Sequence, residues 1–391
     1  MKLKQSPEDF RVEEQMALSP GAEGSFAFYR LDKKGWTTPD ALQAVRRRWK
    51  IDFARLSYGG LKDRHAHTTQ YLTIVNGPRR NLQHQGVSVT YLGQVAHPYS
   101  SKDIQANRFT ITLRALTDDE LPAAQTALAE VSRAGVPNYF DDQRFGSVGE
   151  RGAFVAREMV RGRFEEALKL ALAAPYPHDR AEAKREKAIL REYWGDWKTC
   201  KDRLPRGHAR SLVDYLVSHP ADFRGAVARL RPELRGLYLS AYQSYLWNRM
   251  LAHWLTTRLS PDQLVMLRLR LGPVPAPRAL PDDLLREWDE LTLPLPSARL
   301  HFDSAAPWAE MVEAVMREEA FPLSEMKIRG VHKPFFSKGE RPAALRPINL
   351  EERAEADEHH RGRQKLVLRF DLPPGAYATM IIKRITQVAN E

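Results

Sequence analysis

The sequence contains only one cysteine, Cys200, among its 391 residues. A single cysteine allows no intrachain disulfide and no cysteine-rich structural zinc site. No apolar run is long enough to span a bilayer, and no apolar segment of the signal-peptide kind follows Met1. The glycine-rich loops that bind nucleotide phosphates or dinucleotides are also missing. We therefore expect a cytoplasmic protein without a glycine-rich nucleotide site.

Positive charge and a substantial apolar fraction are what the chain does have. Lys and Arg number 60 against 49 Asp and Glu, which gives a net charge of +11 and a pI of about 9.6. Hydrophobic residues make up 43% of the chain, enough for a folded core rather than disorder. A basic folded protein favours polyanionic partners, either nucleic acid or an acidic membrane surface.

Hydrophobic periodicity predicts strands at both ends of the chain and helices in the middle. Strand-like segments are Phe10–Glu13, Phe26–Tyr29, Val87–Leu92, Phe109–Leu113, Leu366–Phe370 and Tyr377–Ile385. Helical patterns include one from Thr38, as N-cap, to Trp49, one over Asp118–Arg133 that Gly135 ends, and most of residues 150–317. We interpret the prolines at 273, 275, 277, 294 and 296 as loops, and the charged segment Glu351–Arg363 as a solvated helix or loop. This pattern predicts an α+β fold with one discontinuous domain, residues 1–148 and 335–391, interrupted by a mainly helical domain, residues 149–334.

The most informative segment is the loop Gly60–Gln70, between the strand-like runs Leu56–Tyr58 and Tyr71–Val75. It carries a lone carboxylate, Asp63, between two cations, which favour its ionised form. Such a loop can present a carboxylate to an anionic ligand. The alternative is an ordinary solvated turn.

Five blocks, in order along nearly the whole chain, resemble the TruD family of pseudouridine synthases. They are Gly60–Gln70, which is similar to the family signature Gly-x-Lys-Asp-[Arg/Lys]-x-Ala-x-Thr-x-Gln, and then Asn107–Phe109, Pro137–Gly146, Leu239–Asn248 and Gly375–Met380. The resemblance implies a pseudouridine synthase core with a mixed or antiparallel sheet and an inserted TRUD domain. It also implies uridine isomerisation in tRNA, at the thirteenth nucleotide in the D arm. The absence of any cofactor or metal is an expectation that rests on this resemblance. The segment of residues 261–308 matches nothing that we can align with the family.

Under this resemblance Asp63 is the candidate catalytic residue. Pseudouridine formation breaks the N1–C1′ bond of uridine and rejoins the base through C5, so a carboxylate near C1′ can attack the sugar or take one of its protons. The same carboxylate is a candidate base for the C5 proton. A carboxylate at this position is compatible with both the covalent and the glycal route.

The candidate substrate-binding residues come from the same blocks. Phe109 is expected to stack on a flipped base, and Asn107 to hold the base or Asp63 through its amide. Lys62 and Arg64 are candidates for RNA phosphate. The other candidates are Gln70, Asn138 and Arg144, with Lys383 or Arg384 as a guess for the basic partner of Asp63.

Two other classes of function compete with the isomerase. One is a non-catalytic RNA-binding or RNA-chaperone protein on the same fold. The other is a metal-dependent nuclease that uses acidic pairs such as Asp141 and Asp142. His65 and His67 lie at variable positions of the signature, so we predict no metal site there. We expect tRNA as the partner, no membrane association and a monomer.

Overall fold

The computed structural model describes residues 1–149, 152–176, 179–301, 305–331 and 336–388. The chain divides into two compact units. The first unit comprises Met1–Val136 and Leu345–Glu391, and the second comprises Pro137–Ala344. The two units therefore divide after residues 136 and 344, whereas the sequence pattern predicted domain boundaries after residues 148 and 334.

The strands, in chain order, have the following bounds: β1 Lys2–Leu3, β2 Phe10–Met16, β3 Phe26–Lys34, β4 Leu56–Tyr58, β5 His67–Val75, β6 Leu82–His84, β7 Val87–Val95, β8 Ile104–Leu116, β9 Val136–Pro137, β10 Leu264–Leu269, β11 Gly272–Pro277, β12 Thr292–Pro294, β13 Glu340–Pro342, β14 Ala344–Leu345, β15 Ile348–Ala356 and β16 Gln364–Leu372. The helices are α1 Thr38–Trp49, α2 Glu120–Ala134, α3 Val155–Val160, α4 Phe164–Leu172, α5 Ala181–Glu192, α6 Trp197–Arg203, α7 His208–Ser218, α8 Phe223–Ala228, α9 Pro232–Arg258, α10 Asp282–Glu290, α11 Ala309–Glu319 and α12 Ala378–Val388.

The first unit is built on a ten-stranded sheet. Its order is β15-β16-β8-β2-β5-β3-β7-β6, with β1 added beside β8 and β4 beside β5. Strands β2 and β5 run parallel, and the other pairings in this sheet are antiparallel. The two ends of the chain therefore meet in one sheet, since β16 and β2 both pair with β8. The predicted α+β class is confirmed.

Helix α1 covers one face of this sheet. Thr37 rather than Thr38 caps it, since the Thr37 hydroxyl accepts the Asp40 N–H at 3.2 Å. The helix buries Ala41, Leu42 and Val45 against apolar residues of β3, β5 and β7. Thr38 is left with a fully buried hydroxyl, which takes part in the candidate site.

Of two predictions for the C-terminal region, one is wrong and the other is wrong in part. Tyr377–Ile385 was expected to be a strand, but Ala378–Val388 forms helix α12, and the buried residues Ala378, Ile381 and Ile385 follow helical spacing. The charged segment Glu351–Arg363 was expected to be a helix or loop; residues 351–356 instead lie in β15, and residues 357–363 form a loop as predicted. Strand β15 is the last in the sheet order, where charged side chains oppose pairing with other chains.

The second unit is mainly helical, as predicted, and its longest helix is α9. One proline-rich segment was wrongly predicted as a loop: β10 and β11 form an antiparallel hairpin that includes Pro273, Pro275 and Pro277. Proline fits a strand whose N–H groups need no partner, as in a two-stranded ribbon. Among the residues that the structure describes, no helix is both long and apolar enough to cross a membrane.

Candidate active site

The loop with Asp63 connects β4 to β5 and is fixed at its start by two buried side chains. Gln70 donates from Nε2 to the Gly60 carbonyl at 3.2 Å, and its Oε1 accepts the Thr38 hydroxyl at 2.8 Å. The Thr38 oxygen in turn accepts the Lys62 N–H at 3.0 Å. Gln70, a candidate for substrate binding, is fully buried and holds the loop.

A buried lysine that sequence reasoning missed also holds this loop. Lys33, on β3, is 1% exposed, and its ammonium donates to three backbone carbonyls. The acceptors are Trp36 at 2.8 Å, Asp63 at 2.9 Å and Lys62 at 3.3 Å. Burial lowers the pKa of Lys33 to about 8. The sequence did hold one sign that Lys33 is buried. It lies two residues after Leu31 on a strand, so both side chains point to the same, inward face of the sheet.

Both carboxylate oxygens of Asp63 are hydrogen-bonded. Lys4 Nζ lies 2.5 Å from Oδ2, and the His65 N–H donates to Oδ1 at 2.9 Å. Burial raises the pKa of Asp63, but the bonds from Lys4 and His65 outweigh it, so the pKa lies below its ordinary value. The side chain keeps 22% exposure, so an ionised carboxylate is within reach of a ligand. Lys383 and Arg384, the guesses for the basic partner, lie on helix α12, and Lys4 forms the ion pair.

Phe109 lies in an aromatic row next to Lys4. It pairs across the sheet with Val12 on one side and Phe370 on the other. Its ring stacks on that of Phe370, with the ring centres 5.7 Å apart, and packs edge to face with Phe10, with the ring centres 6.2 Å apart. The Lys4 ammonium lies 4.1 Å from the centre of the Phe10 ring. The ring expected to bind the base thus belongs to the same cluster as the cation that pairs with Asp63.

Lys62 is turned inward, although a phosphate contact was expected. Its ammonium lies 2.9 Å from Glu14 Oε1 and donates to Asn107 Oδ1 at 2.7 Å. This contact with Glu14 is an ion pair; the side chain of Glu14 is fully buried, and its other oxygen, Oε2, accepts the Tyr99 hydroxyl and the Tyr71 N–H, both at 3.0 Å. Burial and the neighbouring Glu14 carboxylate raise the pKa of Tyr99. Asn107 is therefore tied to the residue that precedes Asp63.

Arg64 points outward from the same loop. Its side chain is exposed, and Nε donates to the Gly35 carbonyl at 3.3 Å. Of the two cations that flank Asp63, Arg64 is the exposed one.

Asn138 and Arg144 belong to the second unit. Asn138 is 6% exposed, and its amide bonds the Pro342 carbonyl at 3.0 Å and Arg341 Nη2 at 2.5 Å. The Arg144 guanidinium lies 5.3 Å from the centre of the Phe140 ring. Asp142, one of the acids of the nuclease alternative, accepts the Arg270 N–H at 2.8 Å. These contacts lie within the second unit, near its first residue, Pro137.

A family model described as tRNA pseudouridine synthase D (TruD) matches residues 1–385. The chain belongs to this family. Similar proteins include "Probable tRNA pseudouridine synthase D 1" of Methanococcus maripaludis, which is 29% identical over 99% of this chain and 100% of its own length. "tRNA pseudouridine synthase D" of Aquifex aeolicus is 28% identical over 98% of both chains. A TruD crystal structure from Methanosarcina mazei superposes with a TM-score of 0.71 at 26% identity, covering 98% of this chain and 93% of that one.

Membership of the TruD family identifies the protein as an isomerase of the tRNA pseudouridine synthase class. The resemblance inferred from the five sequence blocks is thereby confirmed, together with the class of enzyme. The signature loop of the TruD resemblance is the one whose Asp63 is paired with Lys4.

Proposed function

We propose that the chain converts a tRNA uridine to pseudouridine, with Asp63 as the nucleophile. The observation that carries this proposal is the Asp63 carboxylate itself, which is ionised, partly exposed and paired with Lys4 at 2.5 Å. Cleavage of the N1–C1′ bond builds positive charge on the sugar, and a fixed carboxylate stabilises that charge or bonds to it. The free base then turns, C5 bonds to C1′, and the C5 proton leaves while N1 gains one.

The neighbouring residues divide this task. Phe109 stacks on the flipped base. This stacking offsets the free energy, roughly a few kcal/mol, that the base loses when it leaves the RNA helix. Lys4 keeps Asp63 charged at low pH. Lys33 and Gln70 fix the backbone of the loop, so the carboxylate is already in place when the substrate arrives.

The substrate in this proposal is the uridine at the thirteenth nucleotide of tRNA, in the D arm, and the chain acts as a cytoplasmic monomer. The net charge of +11 favours a polyanion, and the exposed Arg64 offers a phosphate contact beside Asp63. The TruD family match supports tRNA as the class of RNA. Loss of Arg64 should weaken binding to all tRNAs alike and reduce its salt dependence.

The test is tritium release from tRNA labelled at uridine C5, in EDTA. Label leaves only when C5 forms the new bond to the sugar. We expect release by wild type, none by Asp63→Ala, and normal release by Asp118→Ala, which removes an exposed acid from the same unit. A 2′-deuterated uridine separates the two routes, because a primary isotope effect requires abstraction of the sugar proton.

Retained tRNA binding without release from any cellular RNA would favour the RNA-binding alternative. Release by Asp63→Ala at the wild-type rate would remove Asp63 from the chemistry and leave the family activity intact.

A further inference from the structure

The amide of Asn107 has a fixed orientation. Its Oδ1 lies 2.7 Å from the ammonium of Lys62, and an ammonium group can only donate. The atom facing Lys62 must therefore be the oxygen, which leaves the NH2 group of Asn107 on the other side.

Glu14 holds Lys62 in this position. The Glu14 carboxylate is fully buried; its Oε1 faces the Lys62 ammonium as an ion pair, and its Oε2 accepts the Tyr99 hydroxyl and the Tyr71 N–H. A buried carboxylate is stable only when its oxygens have such partners, so Lys62 cannot leave without leaving Glu14 under-compensated. The side chain of Lys62 is 11% exposed, which keeps it away from solvent phosphate.

The NH2 group of Asn107 makes no hydrogen bond to any residue in the part of the chain that the structure describes. Asn107 lies two residues before Phe109 on β8, so the two side chains leave the same face of the strand. A base stacked on Phe109 would therefore have the free N–H groups of Asn107 next to its edge.

We propose that Asn107 is an obligate hydrogen-bond donor that recognises a carbonyl oxygen of uracil, and that Glu14 and Lys62 are the positioning residues that impose this role. The inference rests on the proposed function, because it concerns the base that the isomerase accepts. Uracil offers O2 and O4 as acceptors, whereas cytosine has a donating amine in place of O4. A donor that cannot turn into an acceptor selects against that amine when it faces position 4. A site whose buried polar group would be left unpaired discriminates strongly.

The test measures single-turnover rates on tRNA transcripts that carry uridine, 2-thiouridine or 4-thiouridine at the modified position. Sulfur is a weak acceptor, so the thio group that replaces the contacted oxygen should slow wild type about 10-fold. In Asn107→Ala this difference should vanish, and the rate on normal uridine should fall about 10- to 100-fold. Asn107→Asp, which has the same shape but no N–H, should show the same loss.

Lys62→Met tests the positioning role. Without the ammonium the side-chain amide of Asn107 can rotate by 180°, so the thio effect should shrink. The urea unfolding midpoint shows whether the variant is folded. The matched control is Asn81→Asp, because Asn81 Oδ1 accepts the Tyr91 N–H and an aspartate keeps that acceptor. Its rates and thio effect should equal those of wild type.

The outcomes separate this inference from the proposed function. Turnover by wild type with an equal thio effect in Asn107→Ala, or with full activity in Asn107→Asp, would overturn the donor role alone. No turnover by wild type on any tRNA or total cellular RNA would overturn both.

Discussion

The ion pair between Lys4 and Asp63 gives the sharpest prediction, the effect of Lys4→Met on the pH dependence of catalysis. In the wild-type site burial raises the pKa of Asp63, and the bonds from Lys4 and the His65 N–H lower it more. Removal of Lys4 leaves the burial and only one of the compensating bonds. The pKa of Asp63 should therefore rise above its ordinary value.

The size of the effect follows from the geometry. An opposite charge this close, 2.5 Å between Nζ and Oδ2, lowers a carboxyl pKa by about 1 to 3 units. This corresponds to about 1.4 to 4 kcal/mol between the protonated and ionised forms. In wild type the ionised form should persist to below pH 3.8, the ordinary value for this group. In the variant the acid limb should move up by about the same 1 to 3 pH units.

The assay is kcat/KM for tritium release between pH 4.5 and pH 8, because this ratio reports ionisations of the free enzyme. We expect Lys4→Met to lose activity most at the acid end and to recover part of it near pH 8. Lys4→Arg should keep the wild-type limb, since it keeps the charge. Lys2→Met removes the same charge from an exposed position two residues away and should change nothing.

An acid limb of Lys4→Met that coincides with that of wild type would refute the reasoning. So would an equal loss at every pH, because it would assign Lys4 to substrate contact or to folding rather than to the charge of Asp63.

Three further predictions concern stability and binding. The folded pKa of Lys33, about 8, lies below its unfolded value of 10.5, so the unfolded chain binds more protons between these pH values. The unfolding free energy of wild type should therefore rise relative to that of Lys33→Met from pH 8 to pH 10.5, by about 3 kcal/mol at most, as measured by urea titration. Arg114→Met should cost about 3 to 5 kcal/mol in the same assay, because it leaves two buried carboxylates, Asp9 and Asp357, without their cation; Arg133→Met, which breaks an exposed pair, should cost about 1 kcal/mol or less. Phe109→Leu should keep most of the stability but lose tRNA turnover, since the aliphatic side chain has no ring to stack on a base; unchanged turnover would contradict the stacking role.

The sequence predicted the parts of the site that are local. The loop around Asp63 is a continuous signature between two strands, and the spacing of Asn107 and Phe109 on one strand fixes their common face. These features depend on short-range geometry that a pattern of residues can express.

The partners of these residues could not be predicted in the same way. Lys4 and Asp63 are 59 residues apart, and Glu14 and Tyr99 are 85 apart. Which of the many cations reaches Asp63 depends on sheet order, and neither composition nor spacing determines that order. The same limitation explains the guess of Lys383 or Arg384, which followed from reading helix α12 as a strand.

The pairing of strand β8 also determines when the sheet of the first unit can be completed during synthesis. One of its edges pairs with β2, made earlier, and the other pairs with β16, so that Arg108 bonds to Asp371 from 263 residues away. At about 5 to 20 residues per second, the ribosome needs roughly 10 to 50 s to cover that distance. During this interval the edge that will receive Phe370 is open, and an open strand edge is a hazard for aggregation. A nascent chain therefore has its Asp63 loop long before the ring that backs Phe109, and we expect the site to become complete only as the last strand emerges.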